Sequence, residues 1–162
     1  MADRSSSSIA ALESNYPTSA LLVGGGAVSY VGKADVLASD GAGDKVKLFR
    51  LPLERRVSSL KILNDGLGAG CTMSLGLYRP GAEAVIDVDF FGATLAMTAA
   101  RSAPLEQDGK ASLSLANKEK TLKQILEDAG VDLEGISTVE VVGTFVGAPA
   151  STGSVSVEAL VV

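Results

Sequence analysis

Along most of the chain after residue 44, apolar and polar side chains alternate with a period of two, the rhythm of strands with one wet face. Val46 and Leu48 fall on one side, while Lys47, Phe49 and Leu51 fall on the other. Pro52, which lacks the ladder donor, then closes that segment. Leu60 and Ile62 alternate with Ser59 and Lys61, and Met73, Leu75 and Leu77 alternate with Thr72, Ser74 and Gly76. Residues 64–70, Asn-Asp-Gly-Leu-Gly-Ala-Gly, read as a loop, so 57–78 is expected to form a long-looped hairpin. Arg79-Pro80-Gly81-Ala82 is the next turn. Ala84, Ile86, Val88 and Phe90 against Asp87 and Asp89 predict another half-wet strand. Residues 94–100 fit helix and strand equally. Val139, Val141 and Phe145 share one side of 138–146, and Val155, Val157, Ala159 and Val161 share one side of 154–162. Strand residues up to the last position imply that this final segment is held inside a sheet.

The first third is less regular. Residues 20–37 form an apolar, β-branched run broken by Gly24-Gly25-Gly26, enough for one or two strands. Residues 1–18 are Ser-rich and close on Tyr16-Pro17; they read as an arm, either disordered or folded onto a neighbouring subunit. Only one helix is predicted. Leu122, Ile125, Leu126 and Ala129 follow i, i+3, i+4, i+7 spacing, Thr121 and Gln124 make a capping box, and Gly130 suits the position past the end. The sum is an all-β chain with the pattern of a sandwich or barrel. It has about seven to nine short antiparallel strands, one short helix over residues 121–129, an arm at 1–18 and a single domain at 19–162.

Composition narrows what such a domain does. The 162 residues include no histidine, no tryptophan and one cysteine, with a net charge of −5. Nucleophilic catalysis by a Ser–His or Cys–His pair cannot be assembled, nor can a zinc site of the usual kind. Cys71 reads as a small half-buried apolar residue and implies no oxidising compartment. The only dense basic run is Arg55-Arg56, beside Glu54, too little for a phosphate backbone, so no nucleic-acid partner is expected. No apolar stretch approaches the ~20 residues that span a bilayer, and the start is not a signal peptide, so neither a membrane partner nor secretion is expected.

Two remaining motifs were weighed. Gly32-Lys33 lacks the first glycine and the Ser or Thr of a phosphate loop, because Ala27 and Ala34 stand there. Asp87-Val88-Asp89, or residues 128–132, supply oxygens for calcium, but without the loop spacing that calcium-binding hands use. The chain is expected to hold no metal, use no cofactor and carry no catalytic residue.

The segment from Leu48 to Gly76 holds Leu51-Pro52, Arg56-Val57, then Asp65-Gly66-Leu67-Gly68-Ala69-Gly70-Cys71-Thr72-Met73-Ser74-Leu75-Gly76, followed by Asp87-Val88-Asp89-Phe90-Phe91. In these motifs the chain resembles a group of tailed-bacteriophage virion proteins, over about residues 44–100. It departs from their pattern at Arg55, where glycine is common, and at Cys71, where threonine is usual. Of sandwich and barrel, the resemblance implies the sandwich, a β-sandwich of jelly-roll type. With it comes a capsid decoration or cement protein that binds the major capsid protein and itself. A homo-oligomer, trimer favoured, would then sit on the outer surface of the head after synthesis in the host cytoplasm.

Apolar density outside any alternation marks Tyr16, Leu21, Leu22, Val23 and Val28 as the expected contact residues. The competing class is a receptor- or carbohydrate-binding β-module at a fibre or tail tip, which needs exposed aromatics in a shallow groove; Tyr30, Tyr78 and Phe91 are the available supply. A tail or neck component would share the fold and differ in location.

Overall fold

A computed structural model describes residues 3–5, 20–23, 26–81, 84–106, 114 and 116–162. Its strands are β1 (Asp3–Ser5), β2 (Ala20–Val23), β3 (Ala27–Val36), β4 (Lys45–Pro52), β5 (Val57–Asn64), β6 (Thr72–Tyr78), β7 (Val85–Ala96), β8 (Leu105–Glu106), β9 (Thr138–Gly147) and β10 (Gly153–Val161). One helix, α1 (Leu122–Asp128), precedes β9. Two sheets form, in the orders β1-β4-β9-β6-β7 and β2-β3-β10-β5-β8.

The pairing is nested. β6 pairs with β7, β5 with β8, β4 with β9 and β3 with β10, all antiparallel. The chain from β3 to β10 is thus one long hairpin rolled up so that its paired arms close two facing sheets. That is the jelly-roll arrangement of a β-sandwich; the sandwich is one of the two readings the alternation allows, and the jelly roll is what the resemblance implies. β10 lies centrally between β3 and β5, so the last strand is held inside a sheet as expected. Val155, Val157, Ala159 and Val161 all point into the core. Facing them are Leu48, Leu51, Met73, Leu75, Val141 and Phe145 from the other sheet.

Several local expectations are corrected. Residues 57–78 are not a hairpin, because β5 and β6 belong to opposite sheets and the loop between them crosses the sandwich. In β4 a bulge makes Leu48 an extra residue between Lys47 and Phe49, which pair with consecutive residues Val142 and Val141 of β9. Val46, Leu48, Phe49 and Leu51 are therefore all buried, and Phe49 joins the side from which strict alternation excluded it. β7 absorbs part of the ambiguous 94–100 segment and runs to Ala96. Its register against β6 jumps from Asp87 to Gly92 while β6 advances only from Leu77 to Leu75. That slack puts Phe90 and Phe91 into the core edge to face, 4.9 Å apart, and leaves Val88 exposed instead of inward. Not every pair is antiparallel either, since β1 runs parallel to β4.

α1 keeps its predicted signals. Thr121 accepts from the Gln124 amide and Gln124 accepts from the Thr121 amide, while Gly130 takes the left-handed conformation at φ 79°. The amides of Leu122 and Lys123 bond to the carbonyls of Arg55 and Leu53, so the helix closes the end of the sandwich where β4 turns into β5.

Candidate subunit interface

The expected contact residues divide by position. Tyr16 lies outside the described residues. Leu21, Leu22 and Val23 form most of β2, which pairs antiparallel with β3 and has no described strand on its other side. Val28, on β3, registers with Leu22 and packs half-buried against the core. Four of the five positions therefore come together on one flank, where β2 is an edge strand of uncharged, apolar sequence. Most proteins blunt such an edge with charge or proline; here neither is present.

The same flank carries β1 at the edge of the other sheet, beside β4. β3 and β4 meet closely there. A Cβ at Gly32 would stand 2.5 Å from the Leu48 carbonyl oxygen, so only glycine admits this approach. The rings of Tyr30 and Phe49 lie 6.4 Å apart across the same seam. The N-terminal residues thus add one strand to each sheet on a single side of the jelly roll.

The outer face of the β4-containing sheet is polar but tightly tied. Glu140 is 1% exposed and receives two bonds from the Arg50 guanidinium, at 2.7 and 2.9 Å. Tyr78 lies over this face with its hydroxyl 2.8 Å from Thr144 Oγ1 and the Lys45 ammonium 5.1 Å from its ring centre. These contacts consume the groups that form them. Tyr78 is 2% exposed, Phe91 is in the core and Tyr30 packs against Phe49. The three aromatics therefore do not build the shallow groove that a sugar-binding reading requires.

On the opposite flank a cleft of about 710 Å³ separates β7 from α1, lined by Ile86, Phe90, Ile125 and Val131 with Asp87, Asp89 and Asp128 among its polar groups. Burial pushes the Asp87 carboxyl above its ordinary range; the Asp89 amide opposes the shift and the Asp89 carboxyl adds to it. Among the described residues no cluster of three or more His, Cys, Asp or Glu is arranged to hold a metal ion. Cys71 is fully buried, which raises its thiol pKa and makes it a core residue.

The glycine motif of residues 64–71 turns out to be a joint. Leu67 is fully buried; its amide bonds to the Met97 carbonyl, and its own carbonyl accepts from Ala150 and Ser151. Asn64 Nδ2 donates to the carbonyls of Met97 and Ala99. Asp65 Oδ2 accepts from the amide and hydroxyl of Ser154, both at 2.8 Å, which holds its carboxyl below the ordinary range. A Cβ at Gly147 would stand 2.1 Å from the Gly70 carbonyl oxygen. Three loops are locked into one another through these bonds, with Asn64 Oδ1 a buried acceptor that has no partner.

No protein-family model matches this sequence, and no curated protein matches it. Two solved structures share the fold. A chain in the capsid of Ralstonia phage GP4 superposes with a TM-score of 0.60 at 13% identity, over 85% of this chain and 84% of that one. A chain in the capsid asymmetric unit of cyanophage Pam1 superposes with a TM-score of 0.56 at 16% identity, over 91% and 94%. At these identities the likeness shows the fold alone.

Proposed function

We propose that this chain is a structural protein of a phage virion, a decoration or cement subunit that binds the outer surface of the head shell as a homo-oligomer, with a trimer favoured. The observation carrying this reading is the likeness, over 84–94% of both chains' lengths, to chains of two phage capsids. The chain's own construction supports it. Its polar contacts tie one strand or loop to another, and its most distinctive sequence motif is a joint between loops. Its apolar edge strand is available to a neighbour. In this reading the chain works without catalysis, by placing a stiff body on a repeating surface, and weak contacts multiply across a symmetric shell.

The proposed partners are the major capsid protein and further copies of this chain, met along the flank of β1 and β2. The test is Leu22→Asp, which puts a charge on the edge strand β2. The variant is expected to keep the wild-type circular-dichroism spectrum, to become monomeric by light scattering, and to stop co-sedimenting with head shells assembled without this protein. Unchanged self-association and shell binding would remove β2 from the interface.

A further inference from the structure

We propose that β1 is exchanged between copies, so that Asp3–Ser5 of one subunit pairs in parallel with β4 of its neighbour in the register it shows on its own chain. This deepens the homo-oligomeric reading above, rests on it, and names the contact.

Three observations carry the exchange. β1 has three residues and one neighbour, with Asp3, Arg4 and Ser5 opposite Lys45, Val46 and Lys47. So short a parallel pair makes few ladder bonds, of the less stable kind, and ties the strand only weakly to one particular partner.

The connection is also longer than its path. β1 ends beside Lys47 and β2 begins beside Tyr30, whose ring is 6.4 Å from that of Phe49. Packed sheets lie about 10 Å apart, whereas the 14 residues 6–19 reach about 46 Å when extended. Fourteen residues are therefore enough to reach a second subunit as well as the chain's own second sheet.

The receiving edge has spare length as well. β4 runs Lys45–Pro52, but β1 covers only its first three residues, and no described strand lies on that side of residues 49–52. An incoming arm therefore finds the same three pairs and room to extend. Exchange keeps every ladder bond of the closed chain while joining subunits, and in a ring each copy gives one arm and takes one.

The test is a cross-link between registered positions, Ser5→Cys with Lys47→Cys, in the full-length chain; Cys71 is buried and does not compete. After oxidation, denaturing non-reducing electrophoresis is expected to show covalent multimers as the main product. A main product of internally closed monomer, or no cross-link at all, would overturn the exchange. Light scattering on the uncross-linked wild type separates the two levels. An oligomer whose bonds close within each chain sinks the exchange alone, while a monomer at every concentration sinks the homo-oligomeric reading too. Asp3→Cys with Lys45→Cys gives the same readout if the first pair fails to fold.

Discussion

At the crossover end, the loop of residues 64–71 is bonded to residues 97–101 on one side and 147–154 on the other, through backbone amides, one Asn side chain and one Asp carboxylate. Along the N-terminal flank, β2 and β1 each have one neighbour among the described strands and none on the second edge. Residues 64–71 and 20–28 both mix glycine with apolar residues, and composition does not tell the two segments apart. What separates them is where the backbone donors and acceptors go. A region whose polar groups are mostly used within the chain, as here with Asn64 Oδ1 and Arg101 Nε the exceptions, is a scaffold, and one whose ladder stops at an edge is a place for a partner.

The hardest blow to the scaffold is Gly147→Ala. The added Cβ meets the Gly70 carbonyl at 2.1 Å, backbone against backbone, so the joint must open. The expected loss is about 3 kcal/mol, read as a lower urea midpoint with an unchanged slope. Leu67→Ala acts on the same joint by emptying a fully buried site. It is expected to cost about 2–3 kcal/mol, with self-association intact once the variant is folded. If either substitution disrupted self-association while leaving stability untouched, the division between the two regions would fail.

Thr121→Ala tests the far end, where α1 closes the sandwich. Losing the capping box is expected to cost about 1 kcal/mol, seen as a small drop in thermal midpoint. The gentlest probe is Ser154→Ala. Asp65 has a carboxyl pKa held below the ordinary 3.8 by the Ser154 hydroxyl and amide, so its stabilising contribution is present above that value. It is lost as pH falls through the lower, folded-state pKa. Removing the hydroxyl is expected to move the Asp65 titration upward, followed by carbon-detected NMR, and to bring acid unfolding to a slightly higher pH.

These contrasts also explain what the sequence made legible. The alternation of Val155, Val157, Ala159 and Val161 was readable because β10 is regular, with one face in the core along its whole length. The helix was readable because its caps are local. Phe49 was misplaced because one inserted residue, Leu48, reverses the phase, and a bulge leaves no mark in a period-two pattern. Val88 failed for the same reason, since the slack in β7 lies outside any alternation. The crossing of residues 64–70 reads in sequence as a hairpin turn because Asn, Asp and glycine serve both. Only the long-range partners of the flanking strands, β10 for β5 and β9 for β6, distinguish the two. Of the interface, the apolar run was legible, but its place on an open edge depended on the pairing of β2 with β3 alone.

Hydrogen–deuterium exchange on the full-length chain, compared between dilute and self-associated samples, tests the central claim most directly. The account predicts that the bonded amides of Asp65, Leu67, Cys71 and Met97 are protected in both samples, whereas protection gained on association is confined to β1, β2 and the adjoining edge of β4. Gain concentrated on β7 and α1, or a crossover loop that is protected only after association, would contradict it.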